Sequence, residues 1–289
     1  MTSTIRPPSR RVPTRRMAFD QSLAQVPKHF AANGDLITSH FVAGLSAVFP
    51  DGEDYFVRSV RQYRDEITDP ELKQQVTGFI GQEAMHGREH RAFNNRLARL
   101  GYPTIHVQRV VKEFLALRTR VIPPAHNLAA TAALEHFTAT LAEFLLTDEQ
   151  ARVDVGHHAV QNLFLWHALE ESEHKSVAFD VYMAVDGRQW VRVLNMNLFT
   201  VGFFAAMVVQ KIVSLLGDRA TFRRGTLRSS WTRFRHSGLL SKELWHQLRD
   251  YNRNDFHPYD RDTTELVERW RDELFGTNGR LNDLLVSRG

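Results

Sequence analysis

The chain has 289 residues, of which 43% are hydrophobic and 24% are charged. This composition is typical of a globular protein, and it excludes collagen-like, coiled-coil and disordered classes for most of the chain. The sequence contains no cysteine, which excludes disulfides, thiolate metal sites, iron–sulfur clusters and cysteine nucleophiles. Any bound metal must therefore have oxygen and nitrogen ligands, and 14 histidines are available.

The net charge of +4 is unevenly distributed. Residues 1–16 contain five arginines and no acid, and residues 219–242 contain seven basic residues and no acid, so the rest of the chain is net acidic. Two basic blocks on an acidic body indicate local contact with an anionic surface, and no nucleic-acid partner is expected. A solvated arm and a solvated helix face fit the same pattern.

The first basic block is predicted to be a disordered arm over residues 1–17. Pro7, Pro8 and Pro13 disfavour an amphipathic helix there. The block also lacks the apolar core of a secretory signal. We therefore expect a cytoplasmic protein.

Apolar residues recur at steps of three and four along nearly all of the remaining chain, which is the period of an α-helix. Turn and capping residues divide this pattern in chain order at Asp69-Pro70, Gly101, Pro123-Pro124, Gly156, Asp186-Gly187 and Gly217-Asp218. The pattern predicts a single all-α domain over residues 18–289. Its bundle core is expected at about 35–187 and additional C-terminal helices at about 188–289.

Two predicted helices carry ionisable residues in the middle of their apolar stripe. The stripes centre on Glu83, His86 and His90 in the helix at 70–100, and on His167, Glu171 and His174 in the helix at 156–185. Each helix contains the spacing Glu-x-x-His, which places both side chains on one helix face. Such pairs can bind a metal from within a bundle.

Two further helices each place one glutamate, Glu53 or Glu135, in the apolar stripe. Burying an unpaired carboxylate costs on the order of several kcal/mol, so four of them in one bundle require compensation. Two divalent cations would balance the charge. A glutamate from each of two helices and Glu-x-x-His from each of two others is the ligand set of ferritin-like di-iron bundles, which predicts a ferritin-like four-helix core. Asp51-Gly52-Glu53 also fits the first turn of a helix, which leaves Glu53 open as a ligand.

Four runs carry a resemblance to known families: FPDGE at 49–53, GQEAMH at 81–86, ALEHF at 133–137 and WHALEESEHK at 166–175. They resemble a bacterial family described as predicted metal-dependent hydrolases, over roughly residues 30–275. The ligand pattern is also similar to that of di-iron N-oxygenases of the p-aminobenzoate N-oxygenase type, which add a third histidine one turn before the last Glu-x-x-His. This resemblance implies the metal ligands Glu53, Glu83, His86, Glu135, His167, Glu171 and His174. His90 has no place in the pattern.

Residues beside the expected ligands are candidates for supporting roles. A ligating histidine usually donates its other ring N–H to a carboxylate or carbonyl. Gln82 and Glu170 each precede a ligand glutamate and could reach a histidine on the facing helix, and His90 and His136 are candidates as supporting groups or extra ligands. Catalytic roles are expected for three of the carboxylates, Glu83, Glu135 and Glu171.

Residues 86–90 also match H-x-x-E-H, the inverted zinc-protease motif. In this alternative His86 and His90 bind zinc and Glu89 is the general base of a metal-dependent hydrolase. This alternative gives no role to the buried Glu83 and Glu171, whereas the two-metal interpretation makes both of them ligands.

The ligand pattern predicts a di-iron oxygenase or oxidase that activates O2 and oxidises an apolar or aromatic substrate. The cofactors would be two iron ions, with manganese or zinc as alternatives, and the electron donor is unidentified. The other hypotheses are the zinc hydrolase and a non-enzymatic iron-binding protein, and a homodimer is also considered. Serine-hydrolase and nucleotide-binding motifs are absent from the sequence.

Residues 193–210 carry no charge and precede the second basic block. Their length is near the minimum for a membrane span, although Asn195, Asn197, Thr200 and Gln210 weaken that interpretation. A helix that is apolar all round is usually buried, but the cations that follow also fit an anionic membrane surface. We predict that this helix lines an apolar substrate channel and that residues 193–242 make peripheral contact with the inner membrane.

Overall fold

The structure is a computed structural model that describes residues 11–286, and it confirms the all-α fold. Within these residues the only β contact is an isolated antiparallel bridge between Met17 and Leu285. The α-helices are α1 (Asp20–Leu23), α2 (Leu36–Arg61), α3 (Pro70–Arg99), α4 (Thr104–Val121), α5 (Pro124–Thr147), α6 (Glu149–Val155), α7 (His158–His174), α8 (Val177–Val185), α9 (Gln189–Leu216), α10 (Thr226–Arg235), α11 (Lys242–Asp250) and α12 (Thr264–Phe275).

The helices α2, α3, α5 and α7 form a four-helix bundle, in which α2 packs on α3 and α5 packs on α7. Local sequence sets where these helices begin. Asp35 caps α2 by accepting from Thr38 N, and Asp69 caps α3 by accepting from Glu71 N. Pro124 occupies the first turn of α5, where no intrahelical N–H is needed.

The sequence allowed Glu53 to lie either within a helix or in a helix's first turn, and the structure decides between these two positions. It begins at Leu36 and continues through Pro50, so Glu53 lies in the interior of α2 and not in its first turn. Proline cannot donate to the carbonyl four residues earlier, which here belongs to Ser46. Asn94 Nδ2 of α3 donates to that carbonyl instead, at 2.9 Å, so the interior proline is accommodated.

The stretch 156–185, predicted as one helix, consists of α7 and α8 with a break between them. The break follows His174, the last residue of α7. Lys175 Nζ donates to the carbonyl of Arg261, and Ser176 Oγ donates to Asp180 Oδ2 at the start of α8. These contacts turn the chain immediately after the second Glu-x-x-His motif.

The predicted disordered arm is wrong for its last seven residues, and residues 1–10 lie outside the described part of the chain. Met17 is fully buried, and Arg15 Nη1 lies 2.9 Å from Glu170 Oε1 of α7. A side chain at Gly78 of α3 would collide with the Val12 carbonyl, so this glycine lets the segment lie against α3. The sequence suggested that the arginines of this segment are solvated, but Arg15 forms ion pairs with the buried carboxylates of Glu170 and Glu173.

A polar layer divides the apolar core into two parts. Along α3, Val76 and Phe79 belong to one apolar cluster, and Phe93 and Leu97 belong to the other. Residues 83–90 lie between them and include several buried ionisable side chains. This layer contains the candidate site.

The helix α9 is exposed along one side, in contrast to the usual position of an apolar helix. Its inner side packs on α5 and α2. Only 11% of the residues in its most apolar 18-residue window are buried, and its length and composition would allow it to cross a membrane. Val201, for example, is 72% exposed.

Candidate metal centre

The four glutamates predicted as ligands come together at the centre of the bundle. Glu53 lies on α2, Glu83 on α3, Glu135 on α5 and Glu171 on α7, and each is at most 2% exposed. His174 Nε2 lies 3.1 Å from Glu83 Oε1, 3.3 Å from Glu135 Oε2 and 3.5 Å from Glu171 Oε1. One imidazole therefore contacts carboxylates from three helices.

Two more histidines face the same carboxylates. His86 Nδ1 lies 3.5 Å from Glu83 Oε1 and 3.7 Å from Glu171 Oε1. His167 Nε2 lies 3.0 Å from Glu171 Oε1 and 3.8 Å from Glu53 Oε1. The seven residues predicted as ligands thus form one buried group, which we call the carboxylate cluster.

The carboxylate cluster contains two sets of three donors. Within each set the ligand atoms lie within 4.8 Å of one another, and the sets are Glu53, His86 and His167, and Glu83, Glu171 and His174. Glu135 contacts the second set through His174. Two adjacent sets of mixed oxygen and nitrogen donors are suited to a pair of transition-metal ions.

Many atoms of the cluster lie close to one another but form no well-oriented hydrogen bond among the described residues. They are both carboxylate oxygens of Glu53, Glu83 and Glu135, Oε2 of Glu171, Nδ1 of His86 and Nε2 of His174. An unpaired buried polar atom costs about 1–3 kcal/mol, and more when it is charged. Bound cations would satisfy all of these atoms together, so the residues present fit a metal centre.

Two of the histidines are oriented by residues that immediately precede ligand glutamates. His174 Nδ1 lies 2.8 Å from Gln82 Oε1, and His86 Nε2 lies 3.0 Å from Glu170 Oε2. Gln82 and Glu170 therefore each reach a histidine of the facing helix. Such contacts set which ring nitrogen carries the proton and leave the other nitrogen for a metal.

His90 lies behind His167 and outside the two sets of donors. Ser46 Oγ donates to Asn94 Oδ1 at 2.8 Å, so it accepts from His90 Nδ1 at 2.9 Å. Burial and the adjacent His167 hold the pKa of His90 well below its usual value. His90 is therefore neutral, and its Nε2 accepts from His167 Nδ1 at 2.7 Å. The remaining nitrogen of His167, Nε2, presents a lone pair to the cluster.

The cluster holds protons when no metal is bound. Burial and neighbouring carboxylates raise the pKa of Glu53 well above its usual value and that of Glu135 to about 8. Burial opposes the charge on His86, but carboxylates of α3 and α7 raise its pKa to about 10. Burial also opposes the charge on Glu171, but His174 holds its pKa well below the usual range. Metal binding would therefore release protons.

Behind these residues lies an ion-pair network that sequence reasoning missed. Glu173 of α7 pairs with Arg15 at 2.8 Å and with Arg271 of α12 at 2.9 Å, and it also accepts from Gln82 Nε2 at 2.9 Å. Arg15 contacts Glu170 as well. The network fixes both residues that orient ligand histidines. Its one sequence signal was the acidic run at 170–173, and nothing near Arg15 or Arg271 indicated a pairing.

Residues 13–262 match the family described as predicted metal-dependent hydrolases, which is most of the chain. The chain belongs to this family. The matched residues include the whole carboxylate cluster. No curated protein and no solved structure shows significant similarity to the chain.

The inverted zinc-protease motif does not form a site in this member of the metal-dependent hydrolase family. Glu89 Oε2 accepts from Phe19 N at 2.9 Å, and Oε1 accepts from Arg88 Nε at 2.8 Å. The carboxylate therefore faces the N-terminal segment and not the space beside His86. Because His90 Nε2 faces another histidine, the residues assigned to that zinc site are wrong.

The structure also places His136 away from the cluster. Its Nε2 donates to the carbonyl of Gln247 at 2.8 Å, and its ring packs against Tyr251 and Phe256. Successive residues of a helix point about 100° apart, so the inward direction of Glu135 turns its neighbour towards α11. The expectation that His136 supports or binds a metal is wrong.

Two apolar cavities approach the cluster, and Leu141 lines both of them. The larger has a volume of about 590 Å³ and extends from the exposed Val110 of α4 to the buried Glu53. The smaller, of about 100 Å³, is lined by His167 and Glu171. The larger volume lies within the range of small-molecule sites, so an apolar molecule of moderate size could reach the donor atoms.

Proposed function

We propose that the chain is a metal-dependent enzyme whose carboxylate cluster binds two divalent ions. The observation that best supports this proposal is the set of unpartnered buried oxygen and nitrogen atoms contributed by four helices. Two divalent ions would balance four ionised carboxylates, whereas with a single ion the cluster would have to retain protons to compensate the remaining charge. The ions would be held by the seven cluster residues, Glu53, Glu83, His86, Glu135, His167, Glu171 and His174.

Hydrolysis is the reaction that we propose first, because it is the chemistry named by the family description. A bound pair of divalent ions lowers the pKa of water and polarises a carbonyl or phosphoryl oxygen. The chain itself orients three imidazoles through contacts outside the cluster and surrounds the cluster with apolar walls. In this proposal Glu83, Glu135 and Glu171 act beside the reacting group, and Glu89 has no catalytic role.

The substrate that we propose is apolar or aromatic. The large cavity is lined by aromatic and aliphatic side chains that include Phe56, Phe137 and Phe203, and Glu53 is the cluster residue that borders it. An apolar wall stabilises an apolar ligand and disfavours a charged one, because the charged ligand would lose its hydration. An ester or amide with a large apolar substituent fits these properties.

O2-dependent oxidation by two iron ions is the second candidate. The observation that favours it is the donor set, because a glutamate from each of two helices and Glu-x-x-His from each of two others is characteristic of di-iron bundles. The reaction would consume O2 and require an electron donor. Iron storage alone is less well supported, because a cavity of about 590 Å³ with apolar walls is not needed to bind a metal ion.

Metal content and reactivity, measured on one preparation, distinguish these proposals. We expect about two metal ions per chain in protein purified without chelators. Cleavage of aryl or alkyl esters by the zinc- or manganese-loaded protein, without O2, would support hydrolysis. A transient visible absorption after O2 is mixed with the anaerobic Fe(II) protein, faster than free iron oxidises, would support oxidation. A single ion per chain at saturation would contradict the two-metal centre.

A further inference from the structure

The outward side of α9 is apolar along its whole length. Exposed apolar residues recur on it at helical spacing, each between 42% and 72% exposed: Leu194, Leu198, Val201, Val208, Ile212 and Leu216. A solvated helix normally presents polar residues on this side. A contiguous exposed apolar surface of this length marks an interaction site.

The helix α4 extends this surface beside α9. Val110, Phe114 and Leu117 are 67%, 55% and 58% exposed. The two helices are in contact, because Arg118 of α4 donates to Asn195 Oδ1 at 2.7 Å and its guanidinium lies 5.0 Å from the ring centre of Phe199. We call the outward sides of α4 and α9 the apolar face.

Cations lie beside the apolar face on α4 and in the segment that follows α9. On α4, Arg109 and Arg120 are exposed next to the apolar side, with one acid, Glu113, between them, whereas Lys112 lies on the opposite side of the helix near Asp51. After α9, Arg223, Arg224 and Arg228 form no ion pair with residues 11–286. Exposed aromatic side chains, Phe222 and Trp231, lie among the second group.

We propose that the apolar face docks on an anionic lipid bilayer. Apolar side chains next to arginine, lysine and tryptophan are the combination by which helices lie in the membrane interface. A second copy of the chain is a poorer occupant, because it would bring a second, equally basic surface to the contact. The inner side of α9 packs on the bundle, so the helix lies along the bilayer surface and does not cross it.

The large cavity opens on the apolar face, and this position identifies the substrate class. Its lining includes the exposed Val110 and Phe114 of α4 and the exposed Leu198 of α9, and it ends at the buried Glu53. A molecule dissolved in the bilayer could therefore reach the cluster without entering water. This part rests on the proposed function, and it assigns as substrate a membrane-dissolved molecule with an apolar chain or ring.

Vesicle binding tests the docking separately from any activity. The full chain is mixed with phosphatidylcholine vesicles, or with vesicles in which about a third of the lipid is phosphatidylglycerol, and bound protein is measured by flotation at low and high salt. We expect binding to the anionic vesicles only, weakened by salt. Replacing Arg223, Arg224 and Arg228 together with serine should weaken binding on the order of 100-fold, because each cation near the surface contributes about fivefold.

Single substitutions locate the contact. Val201→Glu should weaken binding at least tenfold, whereas Val153→Glu, at an exposed apolar residue of α6, should not. Both variants should match the natural protein in circular dichroism and thermal unfolding. Equal binding by Val201→Glu, or no binding of the natural protein to either vesicle, overturns the docking. Concentration-dependent dimers that Val201→Glu abolishes would instead assign the apolar face to a second copy.

The outcome for the cluster is independent of the outcome for the apolar face. If the natural protein binds two metal ions but no vesicles, the docking is refuted and the proposed function stands. If it binds anionic vesicles but no metal, the proposed function is refuted and the docking stands. If both hold, anionic vesicles should increase turnover of a lipid-soluble ester or increase its oxidation, and Val201→Glu should remove that increase.

Discussion

Replacing His90 with leucine should weaken metal binding although His90 is not a predicted ligand. In the natural protein His167 donates from Nδ1 to His90, which leaves Nε2 unprotonated and 3.0 Å from Glu171 Oε1. Without His90, the ring of His167 would instead carry its proton on Nε2 and donate it to Glu171. A metal would then have to displace that proton and leave a buried Nδ1–H without a partner.

The size of the effect follows from that unpaired donor. A buried N–H without an acceptor costs about 1–3 kcal/mol, which corresponds to about 5- to 150-fold in affinity. Loss of a residue that supports a metal ligand typically weakens binding by about 10- to 100-fold, which is a consistent range. We expect this loss for zinc in competition with a chromogenic chelator at pH 7.5.

The variant His90→Gln provides the matched control. Glutamine can place Oε1 near the position of His90 Nε2 and accept from His167, so most of the affinity should return. Circular dichroism of both variants shows whether the bundle is retained. If folded His90→Leu binds zinc as tightly as the natural protein, or if His90→Gln is equally impaired, the assigned proton positions are wrong.

Three further predictions address the cluster and the contacts around it. Glu171→Gln should lose metal, as measured by metal analysis, and should unfold at a lower temperature in metal-containing buffer. Glu89→Gln should keep its metal. If instead Glu89→Gln loses metal and Glu171→Gln keeps it, the inverted zinc-protease motif would be the metal site. Arg15→Ala should lower the free energy of unfolding by about 3 kcal/mol in urea titrations, because the buried carboxylates of Glu170 and Glu173 would each lose a charged partner, and the exposed Arg16→Ala should change it by no more than about 0.5 kcal/mol. In metal-free protein the pKa of Glu135 is raised to about 8, so the folded state binds this proton more tightly than the unfolded state; the free energy of unfolding of the natural protein, measured relative to that of Glu135→Gln, should therefore fall between pH 5 and 8, and a rise of this difference would contradict the prediction.

The inner part of the site could be predicted because it depends on the helical period alone. Residues three and four apart share a helix face in any bundle, so glutamates on apolar stripes had to converge. The same geometry explains why Gln82 and Glu170, one position before a ligand glutamate, turn towards the neighbouring helix. The family match over residues 13–262 agrees with a metal-dependent protein, and the assignment of individual ligands stays a prediction.

The outer part could not be predicted because it depends on tertiary contacts. Arg15 pairs with Glu170, which is 155 residues away, and no local pattern indicates such a pair. The role of His90 required Ser46 and Asn94, whose contact arises where Pro50 leaves a carbonyl free within α2. The exposure of α9 was also unpredictable, because hydropathy alone does not distinguish a helix buried in protein from one that faces outwards.

The ion pair between Glu173 and Arg271 has a consequence for the order in which the site is completed during synthesis. All seven cluster residues have been translated once His174 is made, but Arg271 follows about 100 residues later. At about 5–20 residues per second, this delay lasts about 5–20 s. During that interval the nascent bundle can assemble its donors while one guanidinium that closes the outer network is still missing. The contacts that fix Gln82 and Glu170 are therefore completed only after the last helix has been synthesised.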